Sequence, residues 1–166
     1  KDSSNVTLLL SLSNYYQAEG NDSLYQKYLT KLMLNPAVDD ITRVRMMGVI
    51  IRENLTKGND STMVMNLFDK ILQEPQEHTE LLELKVRYMI SLNMPEESIK
   101  PALYQMLEID PENDTARQQL LAYAIEGNDT SAVVIICKPA VEYKAESPVY
   151  YYYLGVVYFQ QDKKED

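Results

Sequence analysis

The sequence has few of the residues on which disulfide frameworks, zinc sites and tight turns depend. Its 166 residues include one Cys, one His, five Gly and no Trp. A single Cys cannot form an internal disulfide, and one Cys with one His cannot complete a tetrahedral zinc set. We therefore expect neither a metal nor another cofactor. Scarce Gly beside plentiful Leu, Ala, Met, Glu, Gln and Lys favours an all-α fold.

Long apolar runs and an excess of positive charge are also missing. No run approaches the ~20 apolar residues that span a bilayer, so we expect no membrane insertion within this segment. The net charge of -9 would repel a phosphate backbone, which disfavours nucleic acid as a partner, and a hydrophobic content of 45% excludes disorder. The chain starts at Lys1 and stops at Asp166 directly after an amphipathic helix, which predicts a fragment of a longer chain.

Catalytic motifs are absent as well. The sequence has no GxSxG, HExxH, Walker or GxGxxG pattern, so we expect no enzyme activity in this segment. His78 follows a proline-marked connector and is predicted to be a solvated loop residue. Cys137 has apolar neighbours that would raise its thiol pKa, so we expect inert core packing.

Turn signals recur at intervals of about 35 residues, which is typical of helical repeats. Between them lie the breaks Pro36, Pro75, Pro111 and Pro148. Each period therefore holds two helices, with Gly or Asn ending the first at positive φ and Asp capping the second. The turn signals are Gly20-Asn21-Asp22, Gly58-Asn59-Asp60, Asn93-Met94-Pro95 and Gly127-Asn128-Asp129.

Helical periodicity between these breaks predicts about nine helices and no strand. Pro101 and Pro139 fall inside two of them, so we expect a kink or a break within a turn of each proline. The predicted helices are near 5–19, 22–34, 39–57, 60–73, 78–92, 95–108, 112–126, 129–143 and 148–161.

The pattern resembles the tetratricopeptide repeat (TPR), a 34-residue helix pair. Pro148, Tyr151, Leu154, Gly155 and Tyr158 match the signature of its first helix, and Tyr123, Gly127 and Ala132 match the unit before. The resemblance implies a single TPR-like solenoid over 1–166, with repeats near 6–39, 40–77, 78–111 and 112–147 and a half-repeat over 148–161.

The resemblance further implies a right-handed α-α superhelix whose first helices line a concave groove. In that register Leu9, Met47, Leu82 and Tyr151 form the core within pairs, and Leu29, Leu67, Ala102 and Ile136 pack from the second helices.

Four arginines share the groove-facing positions of this register: Arg45, Arg52, Arg87 and Arg117. Arg binds carboxylates in bidentate fashion, so an acidic or C-terminal peptide is one expected ligand, with apolar contact from Tyr152, Val156 and Phe159. Arg52 and Arg87 are equivalent in neighbouring repeats and should project side by side. Solvated helix charge paired with nearby Glu is the other interpretation. Leu10 and Asn14 stand where chaperone-binding TPRs have Lys and Asn, so that role is not supported.

Six Asn-x-Ser/Thr triplets start at Asn5, Asn21, Asn54, Asn59, Asn113 and Asn128, and four of them coincide with turns or caps, so we expect a structural role for them. Asp22-Ser23-Leu24 and two similar triplets resemble the O-glycosylation pattern of periplasmic proteins in some bacteria, which favours a bacterial, exported protein. The compartment itself stays open.

Two hypotheses for function follow. The chain is a non-catalytic protein-protein interaction scaffold that presents its groove to a peptide or partner domain, or it is the regulatory or sensory TPR region of a larger enzyme or signalling protein. The helix near 148–161 should lack cover for part of its apolar surface, including some of Tyr150, Tyr151, Leu154, Val157 and Tyr158. That exposure predicts self-association.

Overall fold

The computed structural model describes residues 5–58 and 60–162, and within these ranges it contains nine α-helices and no strand. The all-α prediction is therefore confirmed, and every predicted boundary lies within two residues of the observed one. Asn59 and the two chain ends, which the sequence analysis also used, lie outside the described residues. The helices are α1 (Val6–Ala18), α2 (Asp22–Met33), α3 (Asp40–Lys57), α4 (Thr62–Ile71), α5 (Glu80–Ser91), α6 (Glu96–Ile109), α7 (Asp114–Glu126), α8 (Thr130–Glu142) and α9 (Val149–Asp162).

Side-chain caps explain where many of these helices begin. Asn5, Asn21 and Asn113 each accept a hydrogen bond from the backbone N–H three residues later, at 2.9–3.2 Å. Asp39 and Asp129 accept the equivalent hydrogen bonds at 2.7 and 2.9 Å. Such a cap stabilises a helix by about 1 kcal/mol. The structural role predicted for these asparagines is therefore confirmed.

The turns between paired helices use left-handed backbone, as the repeat pattern predicts. Gly20 and Gly58 have φ of 69° and 62°, and Asn93 has φ of 52°. At the last turn the prediction for Gly127 is wrong, because its φ is -77° and the next residue, Asn128, takes the positive φ of 52°. Asn tolerates this conformation because its short polar side chain can hydrogen-bond locally.

The chain divides into two compact units, residues 1–88 and 89–166. In the first unit α1 packs on α2, and both α2 and α3 pack on α4. Tyr88 Oη donates to Asn54 Oδ1 at 2.7 Å, and Asn54 Nδ2 donates to the Asp60 carbonyl at 3.0 Å, so a buried polar chain joins α3, α5 and the turn before α4. The predicted core residues of this unit are all buried: Leu9, Leu29, Met47, Leu67 and Leu82.

In the second unit α7 packs on α6 and α8, and α8 packs on α9. Ala102, Ile136 and Cys137 are buried as predicted, and burial raises the pKa of the Cys137 thiol to about 11. The core role predicted for Tyr151 is wrong, since that side chain is 43% exposed while Tyr150 is fully buried.

Tyr150, Leu154 and Val157 form the buried face of α9, at a spacing of four and three residues. Tyr150 Oη donates to Asp114 Oδ1 at 2.5 Å, so the buried phenol has a partner on α7. Burial together with this hydrogen bond raises the pKa of Tyr150.

Helices α6 and α8 continue through Pro101 and Pro139, and α8 ends at Glu142, three residues after Pro139. The predicted break within a turn of Pro101 is therefore wrong, while the kink predicted as the alternative at both prolines stays a prediction. Both prolines are exposed. A proline in a helix leaves the carbonyl four residues earlier without its amide, and on the solvent side water can hydrate that carbonyl. These carbonyls belong to Glu97 and Ile135, whose side chains are exposed too.

In the described part of the chain no helix is long and apolar enough to cross a membrane. No group of three or more His, Cys, Asp and Glu residues is placed there to hold a metal ion. His78 is exposed in the connector between α4 and α5, as predicted.

Candidate functional site

The first unit contains an open apolar cavity of 260 Å³ between α1 and α3. Tyr25 and Leu29 of α2 also contribute to its wall. The apolar periodicity of α1 and α3 places these lining residues on one face of each helix. The principal lining residues from α1 and α3 are Leu10, Ser13, Asn14, Gln17, Arg45, Met46, Val49, Ile50 and Glu53.

A larger, more polar cavity of 520 Å³ adjoins the first one, between α2, α3 and α4. Gln17, Tyr25, Ile50 and Glu53 line both cavities, so the two are adjacent and share one wall, and we treat them together as one cleft. We call it the α1–α3 cleft, with an apolar half and a polar half. The polar half adds the charged side chains of Asp22, Lys57 and Asp60.

Glu53 marks the junction between the two halves. Its Oε2 accepts a hydrogen bond from Gln17 Nε2 at 2.9 Å and lies 4.0 Å from Lys57 Nζ. Burial and the charge of Glu53 raise the pKa of Tyr25, so its phenol, like any tyrosine at neutral pH, is protonated and able to donate. The junction therefore presents both a carboxylate and a hydroxyl to the cleft.

Arg45 lies at the other end of the apolar half and is exposed. Within residues 5–58 and 60–162, the ion pairs of 4.0 Å or less use Arg43, Lys57, Lys85 and Lys100, and Arg45 is in none of them. Its charge contributes to lowering the pKa of Asp39, although the main cause there is the hydrogen bond from the Thr42 amide.

Arg43 has a different role from Arg45, two residues away. Its Nη1 lies 2.6 Å from Asp40 Oδ1, and its Nε and Nη2 donate to the carbonyls of Met33 and Asn35 at 2.9 and 3.1 Å. This guanidinium holds the start of α3 against the end of α2. Arg43 is therefore structural, while Arg45 presents its donors to the cleft.

Arg52 and Arg87 are exposed, on α3 and α5. Neither is among the described residues that line the two halves of the cleft. Of the four predicted groove arginines, the structure thus places one in the cleft. The side-by-side arrangement of Arg52 and Arg87 stays a prediction.

The prediction that Arg117 faces a groove is wrong, because this side chain is 4% exposed in the core of the second unit. Its Nη1 and Nη2 donate to the carbonyls of Ile136 and Pro111 at 2.7 and 2.5 Å. Arg117 precedes Leu120 and Leu121 by three and four residues, which is the spacing of one apolar helix face. That spacing is the signal in the sequence that identifies it as a core residue.

Tyr152, Val156 and Phe159 share one face of α9 in the second unit. Tyr152 and Phe159 are 66% and 62% exposed, and Val156 is half-buried. The structure therefore brings these three predicted residues together on one helix, and they are separate from the lining of the α1–α3 cleft.

No family model matches the chain, and no curated protein is significantly similar to it.

Proposed function

We propose that the chain is a non-catalytic interaction module that binds an extended segment of a partner protein in the α1–α3 cleft. The observation that carries this proposal is an open apolar cavity with an arginine at its end that has no ion pair among the described residues. Peptide grooves combine apolar contact with a few placed polar groups, as this cleft does. The resemblance to tetratricopeptide repeats supports the same function.

The cleft also suggests the chemistry of the segment. Leu10, Met46 and Val49 favour an apolar side chain in the apolar half, and Arg45 favours a carboxylate beside it. Glu53, which lies toward the polar half, favours a cation or an amide. The ligand is therefore a mixed-charge segment with an apolar centre.

The two charged side chains that line the apolar half, Arg45 and Glu53, set the spacing of the ligand. Arg45 and Glu53 are eight residues apart on α3, which corresponds to about 12 Å along a helix axis. An extended peptide rises about 3.3 Å per residue, so its acidic and basic residues should be separated by about four positions. This requirement is met by a segment whose first, third and fifth residues are acidic, apolar and basic.

A binding assay tests the proposal with a short fluorescein-labelled peptide, in which one Ser separates Asp from Leu and another separates Leu from Lys. Arg45→Glu should weaken binding about tenfold or more, because a charge-assisted hydrogen bond contributes about 1.5–3 kcal/mol. Val49→Asp should weaken it as well, because it places a charge in the apolar half. Fluorescence anisotropy measures both effects.

Arg52→Glu is the matched control, since it makes the same charge change on the same helix outside the cleft. We expect it to change the affinity less than twofold. Equal weakening by Arg45→Glu and Arg52→Glu, or no binding of the peptide, would contradict the cleft as the site. If Arg52→Glu combined with Arg87→Glu abolishes binding while Arg45→Glu does not, the two exposed arginines are the site instead.

A further inference from the structure

Four exposed aromatic side chains on α9 are arranged symmetrically about Gly155. Tyr151 and Tyr152 precede this glycine by four and three residues, and Tyr158 and Phe159 follow it by three and four. Their exposed fractions run from 43% to 66%. Residues at these spacings lie on the same side of a helix, so the aromatics flank Gly155 at both ends of one surface. We call this surface the α9 aromatic face.

Gly155 forms a gap in the middle of that face. It is exposed, and apart from its chain neighbours and the nearby backbone of its own helix, a Cβ built on it would meet no described atom within 4 Å. Packing inside this unit therefore does not require a glycine there. A glycine in a helix interior is less stable than Ala, so a second surface that approaches the helix backbone closely would account for Gly155.

The aromatic face is electrically neutral in a strongly acidic chain. Residues 149–161 contain no Asp, Glu, Lys or Arg, although the chain as a whole has a net charge of -9. Two identical molecules generally repel each other at this net charge. They can meet with the least repulsion where both surfaces are uncharged.

We infer that α9 is a homodimer contact, in which a second copy of the chain packs antiparallel against the aromatic face about a two-fold axis at Gly155. An isologous contact needs a surface that is complementary to itself, with each feature matched by the same feature rotated about the axis. The aromatics at both ends and the gap at the centre meet that condition. In such a pair Tyr151 of one copy lies opposite Phe159 of the other copy, and Tyr152 opposite Tyr158.

The area available indicates a weak dimer. An aromatic side chain has roughly 200 Å² to bury, and about half of that is exposed here, which gives about 400 Å² per copy and about 800 Å² for the pair. This area is below the roughly 1,200 Å² at which specific, stable interfaces begin, and it falls in the range of weak, transient contacts. Tyr152 is already positioned, because its ring packs edge-on against Tyr153 with centroids 5.1 Å apart.

Sedimentation velocity over a concentration series from about 1 µM to about 1 mM tests the dimer. Gly155→Ala should weaken association about tenfold, and Gly155→Gln should abolish it, because each side chain fills the gap. Both variants should fold, since the new Cβ meets no described atom within 4 Å beyond its chain neighbours and the nearby backbone of its own helix. Gly155→Ala should also raise the unfolding temperature, because Ala favours a helix over Gly.

Gly48→Ala is the matched control. Gly48 also lies inside a helix, α3, and a Cβ added to it would likewise meet no described atom within 4 Å beyond its chain neighbours and the nearby helix backbone. It should raise the unfolding temperature similarly and leave association unchanged. A wild-type chain that stays monomeric at every concentration, or Gly155 variants that associate as the wild type does, would overturn the proposal and leave the face to a different partner.

A charge pair tests the antiparallel arrangement. Tyr151→Lys and Phe159→Glu should each weaken the dimer. The double variant should associate more tightly than either single variant, because an antiparallel pair places Lys of each copy opposite Glu of the other. A parallel pair would place like charges together, so a double variant weaker than both single variants would overturn this geometry.

Discussion

At the scale of single residues, the buried guanidinium of Arg117 holds three segments of the second unit together. It donates to the carbonyl of Ile136 on α8 and to that of Pro111 before α7, and its Cζ atom lies 5.5 Å from the centre of the Tyr143 ring. Its Nε has no hydrogen-bond partner among the described residues. A buried arginine without a facing carboxylate depends on such hydrogen bonds for its stability.

Arg117→Ala should lower the free energy of unfolding by about 2–4 kcal/mol, because it leaves a cavity and removes donors from two carbonyls. Urea denaturation measures the change. Arg52→Ala removes an exposed arginine and should stay within about 0.5 kcal/mol of the wild type. Equal losses in the two variants would show that the Arg117 hydrogen bonds contribute nothing to stability.

At the scale of helices, local chemistry explains why the boundaries could be predicted from the sequence. Caps such as Asn21, Asp39 and Asn113 act within three residues of their own position, so the order of residues along the chain contains that information. The buried face of α9 could not be predicted in the same way. Residues 149–161 are uncharged throughout, so no charged side marks the solvent face and Tyr150 and Tyr151 are indistinguishable by pattern.

The candidate cleft shows the same limit. Arg45 could be identified because the repeat register places it on the first helix of a pair. Glu53 and Gln17 could not, because their hydrogen bond joins residues 36 positions apart and depends on how α1 lies along α3. Contacts of this kind can be identified only once the packing of the two helices is known, because the sequence pattern of either helix alone does not contain them.

The proline in α6 leads to a prediction at the same scale. Pro101 lies on the exposed side of a helix that continues to Ile109, so Pro101→Ala should restore the hydrogen bond to the Glu97 carbonyl. A helix-interior proline costs about 3 kcal/mol, part of which the stiffer unfolded chain offsets, so stability should rise by about 1–3 kcal/mol. Thermal unfolding followed by circular dichroism measures this, and an unchanged or lower unfolding temperature would contradict it.

At the scale of the whole molecule, the net charge of -9 gives the two proposed contacts opposite salt dependences. The α9 aromatic face is neutral, so added salt only screens the repulsion between the two chains. The cleft uses Arg45 to attract a carboxylate, so added salt weakens that attraction.

Raising NaCl from about 20 mM to about 200 mM shortens the screening length from roughly 20 Å to roughly 7 Å. Dimerisation should then become severalfold tighter by sedimentation, while peptide binding becomes weaker by anisotropy. The Gly48→Ala control should follow the wild type in both assays. If both affinities fall with salt, charged groups outside α9 hold the dimer and the aromatic face does not.

The buried thiol of Cys137 allows the opening of the second unit to be measured by its labelling rate. It is fully covered, its pKa is raised to about 11, and the sequence has no other cysteine to react. Because the thiolate is the reactive form, a thiol reagent at neutral pH can modify the protein only during excursions that uncover α8. When reclosing outpaces modification, the labelling rate reports the population of the open state. The local opening of the second unit can therefore be measured in the native chain, without an engineered cysteine.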